Sequence, residues 1–204
     1  SPQGLGFVDL SPEIQLTDAG EEFIRGNRPH EIFLRQLLKF QLPSPYHKEG
    51  RKIKGTFWGH PYLEIIRLIR DLEYLTPDEF RIFALQLTDY RKDEAVKRQI
   101  LSFREEKERH KGQYKKFIDN VVNQEISRIY AEEIKTGHIA TRESKTSDVK
   151  SFISKKKRNM RDYADACFRC FRFTEMFASD GRSIRIAQDK IQEIDYILET
   201  VPRE

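Results

Sequence analysis

Apolar residues recur at helical spacing along most of this chain and give way to short alternating stretches near residues 7–16 and 177–186. The first of these, Phe7-Val8 and Ile14-Gln15-Leu16 around a turn containing Asp9, Ser11 and Pro12, predicts a β-hairpin. Thr17 is placed to cap a following helix whose first turns carry Glu21 and Glu22. Pro29 suits the first turn of a second helix that turns Ile32, Phe33, Leu37, Leu38 and Phe40 inward and closes near Pro43. Residues 41–60 are rich in Pro, Gly and His and predict a loop. Its Lys48, Arg51, Lys52 and Lys54 make it an exposed linker or a phosphate-contacting segment.

The spacing next predicts a helix over about 61–73 with Leu63, Ile66 and Ile69 or Leu72 inward. Thr76-Pro77-Asp78-Glu79 combines a capping Thr, Pro at the first helical position and Glu at the third, which predicts a helix running through Leu87. Two helices joined so closely form either a helix-turn-helix or an ordinary helical hairpin. Residues 93–111 predict a helix with Val96, Ile100, Leu101 and Phe103 buried, interrupted at Gly112. A further helix is expected over 113–134, carrying Phe117, Val121, Val122, Ile126, Ile129 and Tyr130. The heptad pattern does not persist in either, so neither is a coiled coil. Residues 136–147 are polar and mark a boundary.

Residues 155–173 form the most distinctive helix. At 100° per residue Arg158, Arg161, Asp165, Arg169 and Arg172 share one side, and Met160, Tyr163, Ala164, Cys167, Cys170 and Phe171 line the other. Alternation then takes over around Asp180-Gly181, a dipeptide suited to a two-residue hairpin turn, with Ile184 and Ile186 on one side of a strand and Ser183 and Arg185 on the other. Asp189 is placed to cap a last helix holding Ile191, Ile194, Ile197 and Leu198. A basic-faced helix running into an Arg-bearing hairpin has the sequence shape of a winged helix. The fold class expected is therefore mainly α with short β-hairpins, built as winged-helix (helix-turn-helix) DNA-binding subdomains: one over 1–112, a connecting helix and loop over 113–146, and a second over 147–204.

Composition refines this picture only through its distribution. The 204 residues carry 37 Lys or Arg against 33 Asp or Glu, yet residues 135–172 hold eleven bases against four acids. So concentrated a basic stretch is the electrostatic footprint of a polyanion binder or, more blandly, a solvated face. No uncharged run approaches a membrane span and no signal peptide stands at the start, so no membrane partner is expected. Two cysteines make no disulfide framework and fit a reducing, cytoplasmic setting. The start at Ser-Pro-Gln, without Met, reads as a fragment or a processed chain of something longer.

Cys167-x-x-Cys170 lacks the second Cys or His pair a zinc site needs, and it lies on an apolar helical face, so both thiols are expected in the core. Glu105-x-Lys107, Glu133-x-Lys135 and Glu143-x-Lys145 match the end of a Mg²⁺-nuclease motif. They stand on charged, helical or loop segments without the hydrophobic strand that motif requires, so no catalytic or metal-binding residues are expected. Binding is what remains. Arg158, Asn159, Arg161 and Asp162, at the start of the basic helix, are the candidates for base edges: Arg can bridge guanine O6 and N7, and Asn can pair with adenine N6 and N7. Lys155, Lys156, Lys157, Arg169, Arg172, Arg182 and Arg185 suit phosphate contacts, and the alternative reading of Asp162 and Asp165 is that they hold neighbouring arginines in place.

Several stretches together carry a family resemblance. They are Leu16-Thr17-Asp18-Ala19-Gly20; Arg28-Pro29-His30-Glu31-Ile32-Phe33-Leu34-Arg35-Gln36-Leu37; Phe103-Arg104-Glu105-Glu106 with Lys111-Gly112-Gln113; and Arg158-Asn159-Met160-Arg161-Asp162-Tyr163-Ala164-Asp165-Ala166, leading through Phe171-Arg172-Phe173-Thr174 into the hairpin. Nearly the whole chain thereby resembles the type IIS restriction endonucleases of the AlwI family and the related nicking endonucleases. The resemblance implies a recognition region of winged-helix subdomains that reads a short asymmetric duplex site. It also implies a separate C-terminal nuclease domain that uses Mg²⁺. The chain stops before such a domain, so the expectation is sequence-specific binding of double-stranded DNA by a monomer, without a cofactor in these residues and with cleavage placed elsewhere. A winged-helix transcriptional regulator and a helical protein-interaction domain are the alternatives.

Overall fold

The computed structural model describes residues 2–42, 58–137 and 148–203. Strands β1 (Val8–Asp9) and β2 (Gln15–Leu16) pair antiparallel, with Val8 opposite Leu16. The Thr17 hydroxyl donates to the Gly6 carbonyl at 2.6 Å and accepts from the Gly20 N–H at 3.1 Å. One side chain thus caps α1 (Asp18–Arg25) and ties it to the hairpin. Gly20 is required by close approach, since a Cβ there would stand 2.1 Å from the Phe7 carbonyl oxygen. Pro29 opens α2 (Pro29–Lys39), which ends before the expected stop at Pro43 and also buries Leu34 and Gln36.

α3 (Pro61–Leu72) buries Leu63, Ile65, Ile66, Leu68, Ile69 and Leu72. It is apolar around most of its circumference, beyond the single face its spacing suggests, and it is the central helix of the molecule. The capping box at Thr76 forms as expected and starts α4 (Pro77–Ile82). This helix does not run on to Leu87. It tightens into a 3₁₀ turn at Ala84–Gln86, which lets Phe83 pack on Phe103 while Ala84 and Leu87 enter the core.

α5 (Asp93–Arg109) buries Val96, Ile100 and Phe103, but Leu101 is half exposed. The break expected at Gly112 is a 3₁₀ turn over Lys111–Gln113. The helix expected over 113–134 is two, α6 (Tyr114–Ile129) and α7 (Ala131–Thr136), separated at Tyr130, whose ring packs edge-on against Phe152. The basic helix, α8 (Val149–Phe173), starts well before Lys155 because the Asp148 carboxylate accepts from the Lys150 and Ser151 N–H groups. Strands β3 (Phe177–Ser179) and β4 (Ile184–Ile186) follow it directly. Asp189 makes no cap: α9 (Ile191–Thr200) grows out of a 3₁₀ turn at Gln188–Lys190. The 41–60 loop cations and the polar boundary over 138–147 lie outside the described residues.

One buried cluster joins Leu34, Ile65, Ile66, Leu68, Ile69, Phe80, Val96 and Ile100 to Ala164, Phe171, Phe177, Ile184 and Ile194. The stretches 1–112 and 147–204 therefore share a core. A second cluster, built from Ile82, Phe103, Phe117, Ile118, Val122 and Ile126, underlies the first half of α8 through Ile153 and Met160. Phe171, fully buried, meets Tyr62, Phe80 and Phe177 at ring separations of 5.8, 6.2 and 4.9 Å. Burying each such aromatic side chain contributes about 1.5–3 kcal/mol, and here it fixes the roll of α8.

Candidate nucleic-acid interface

With Ile153, Met160, Ala164, Cys167, Phe168 and Phe171 turned inward, α8 leaves Arg158, Arg161, Asp162, Asp165, Arg169 and Arg172 exposed. Arg158 and Asp162, Arg161 and Asp165, and Asp165 and Arg169 are each spaced i,i+4, where opposite charges ordinarily pair. Among the described residues none of these six forms an ion pair. Glu21–Arg25 and Glu105–Arg109, at the same spacing on other helices, do. Among the described residues the charged groups of this face are thus exposed and make no ion pairs. Two sequence expectations need correction. Arg158, Asn159, Arg161 and Asp162 stand in the middle of α8, since the Asp148 cap moves its start upstream, and Tyr163 is 66% exposed despite its place on the apolar side of the wheel.

The three lysines preceding Arg158 are differently placed. Lys156 Nζ lies 4.2 Å from the Tyr130 ring centre and 5.2 Å from that of Phe152. Lys157 Nζ pairs with Asp119 Oδ1 at 2.6 Å. Both secure α8 to α6 and its C-terminal Tyr130, and Lys155 is half-buried beside them. Asn159 is half-buried as well.

Beyond α8 the hairpin pairs Phe177 with Ile186 and Ser179 with Ile184, leaving four residues, 180–183, in its loop. This replaces the expected two-residue turn. The Asp180 carboxylate accepts from the Arg182 and Ser183 N–H groups at 2.9 and 2.8 Å, and these bonds hold it below the usual carboxylate range. Such a loop needs one positive φ, supplied by Gly181 at +79°. Arg185 pairs with Asp180 Oδ2 at 3.1 Å, whereas the Arg182 side chain is exposed and, among the described residues, has no ion-pair partner. Leu75 and Ile184 exchange N–H···O bonds of 2.9 Å in both directions, so the segment before α4 adds a third strand to the hairpin. No alternation around Leu75 signals this. A one-residue strand has no period.

The cysteines occupy half-buried positions on α8, and burial pushes the Cys167 thiol up to about 11. They are protonated core thiols at neutral pH. Glu105 and Glu133 lie on α5 and α7, while Glu143-x-Lys145 falls outside the described residues. Among the described residues no three His, Cys, Asp or Glu side chains come together as a metal site. Nor is any described helix long and apolar enough to cross a membrane.

Geometry and charge thus define a mainly helical protein that presents an unpaired, arginine-rich helix face beside a small hairpin. The model of the AlwI restriction endonuclease family matches residues 3–204, and the chain belongs to that family. No curated protein matches it. Family membership implies a restriction-enzyme role, with DNA as the partner.

Proposed function

We propose that the described residues recognise a specific duplex DNA site, as the recognition part of a type IIS restriction endonuclease. The supporting observation is the order of the elements around α8. α3, the one-residue strand at Leu75, α4, α8 and the β3–β4 hairpin follow one another as the helices, strand and wing of a winged helix, with α5–α7 inserted before its third helix. Leu75 bonding to Ile184 is the strand pairing that arrangement requires. This unit takes its helices from both sides of the expected boundary at 113–146.

In this unit α8 lies in the major groove. Arg158 and Arg161 bridge guanine O6 and N7, Asn159 reaches adenine, and Asp162 accepts from cytosine N4. Arg169, Arg172 and Arg182 contact backbone phosphates and set the salt dependence. Cutting is carried out with Mg²⁺ by residues outside those described, and the DNA-free protein is a monomer.

Selection of bound duplexes from a randomised pool, with Mg²⁺ present and the products checked for cuts, tests this. One short asymmetric site is expected to emerge. Arg158→Ala and Arg161→Ala each remove about 1–3 kcal/mol of discrimination at one base pair, whereas Arg169→Ala weakens all duplexes alike. No enrichment, or equal losses on selected and random duplexes for the first two variants, would overturn the assignment. An inverted-repeat site bound by a dimer would point to a transcriptional regulator.

A further inference from the structure

We infer that a notch between the hairpin loop and α5 seats one backbone phosphate of the bound duplex, held jointly by Arg182 and Lys107. This rests on the DNA-recognition function proposed above and adds a contact from the α5–α7 insertion. The notch has a volume of about 450 Å³ and is lined by Thr76, Pro77, Asp78, Lys107, Tyr114 and Arg182. Its two cations come from segments far apart in sequence.

The charge inside the notch is unequal. Asp78 is its acid, but that carboxylate is held internally: the Tyr114 hydroxyl donates to it, and Arg81 pairs with it at 2.7 Å. The side chains of Asp78 and Arg81 are only 19% and 15% exposed, so this pair is a structural fixture with little charge to offer a ligand. Tyr114 keeps its proton, because burial and Asp78 push its pKa up. Lys107 Nζ stands 5.0 Å from the Tyr114 ring centre, a contact that positions the ammonium without neutralising it. Arg182 is anchored by its own N–H on Asp180 while its guanidinium remains exposed. Two positive charges are left over.

In the 76–79 turn the backbone donors of Thr76 and Glu79 are already engaged. The Thr76 hydroxyl accepts from the Glu79 N–H and the Glu79 carboxylate accepts from the Thr76 N–H. The charged groups left to hold an anion in the notch are the two side-chain cations. A phosphodiester suits them, since its two non-bridging oxygens share one negative charge between two donors. The hairpin end of the notch is also set in place: Leu75–Ile184 pairing fixes the hairpin loop beside Thr76 and Pro77. Since the hairpin follows α8 directly, a phosphate seated here sets how the strand runs past the recognition helix.

The experiment measures affinity of the full chain for its selected duplex at salt concentrations between about 50 and 200 mM, for the wild type, Lys107→Gln, Arg182→Gln and the double variant. Each single change is expected to lower the slope of log affinity against log salt by about one, so the wild-type advantage shrinks about fourfold across that range. Base preference stays as in the wild type and Lys107→Arg restores the slope. A neutral methylphosphonate moved along the backbone weakens the wild type at each contacted phosphate, and at one of those positions it leaves the double variant unaffected. If Lys107→Gln keeps the wild-type slope while Arg169→Gln lowers it, DNA recognition stands and the notch is refuted. If the wild-type chain enriches no site and binds random duplex without salt dependence, recognition and notch fall together.

Discussion

Replacing Arg104 by Ala should cost more stability than any exposed charge in the molecule. Arg104 lies on α5 and reaches back to α4, where its Nε and a terminal nitrogen meet the Glu79 carboxylate at 2.8 and 3.1 Å. The same nitrogen donates to the Tyr74 carbonyl at 2.7 Å, and the guanidinium sits 4.0 Å over the Tyr74 ring centre. The Glu79 side chain is 1% exposed and that of Arg104 20%, so solvent screens this pair little. Removing one partner of a buried pair leaves an uncompensated charge and costs about 3–5 kcal/mol. Glu79 keeps one bond, from the Thr76 N–H, which puts the expected loss near the lower end, about 3 kcal/mol. For a chain of this length that lowers the melting temperature by about 6–12 °C. Urea unfolding followed by circular dichroism gives the free energy directly. Adding Glu79→Gln to Arg104→Ala should recover about 1–2 kcal/mol, because the amide oxygen still accepts from Thr76 while the stranded charge is gone. A loss below about 1 kcal/mol, the range of surface pairs, would refute the reasoning. So would a second substitution whose cost simply adds to the first.

Arg203 pairs with Glu64 and Asp93 and donates to the Tyr90 carbonyl, against a Glu64 side chain only 2% exposed. Arg203→Ala is expected to lose about 2–4 kcal/mol in urea unfolding, somewhat less than a fully buried pair because the Arg203 side chain is 31% exposed. Asp180, with its pKa depressed by the Arg182 and Ser183 N–H groups, contributes loop order that is complete above the ordinary carboxylate pKa and is lost as pH falls through the depressed value. Below about pH 4 the amide resonances of Arg182 and Ser183 should therefore move together while core resonances stay in place. Movement at neutral pH would contradict that assignment.

Local chemistry accounts for what was legible in the sequence. Thr17 and Thr76 cap helices where their neighbours place them, and Asp180 does make the turn, because each acts within three residues of itself. Misreadings arise where distant packing decides. Tyr163 follows the apolar stripe of α8, yet no described element covers it, which leaves it exposed among the described residues. Leu101 fails in the same way on α5. α8 begins upstream of its basic run because the Asp148 carboxylate caps it there, outside the charged stretch. The Arg side of α8 was legible as a face, but not that its acids and bases make no ion pairs among the described residues, nor that Lys156 and Lys157 turn to α6. The notch at Lys107 and Arg182 left no trace in sequence, because it exists only once α5 and the hairpin loop have been brought to the same turn.

The joining of α3 and α4 to the hairpin and α9 bears on when the protein gains its function during synthesis. Arg70 meets Asp195 across 125 positions, and His30 meets the Phe173 carbonyl across 143. Contacts of such span close late, since the chain between them must first be ordered. As the chain emerges from the ribosome, the pair of Arg104 and Glu79 and the cluster of Ile82, Phe103 and Phe117 can assemble early. The surfaces of α3 and α4 that receive Phe171, Phe177 and Ile184 must wait for α8 and the hairpin. A nascent chain thus lacks the shared core until α8, the hairpin and α9 dock, and the face proposed to read DNA is complete only then.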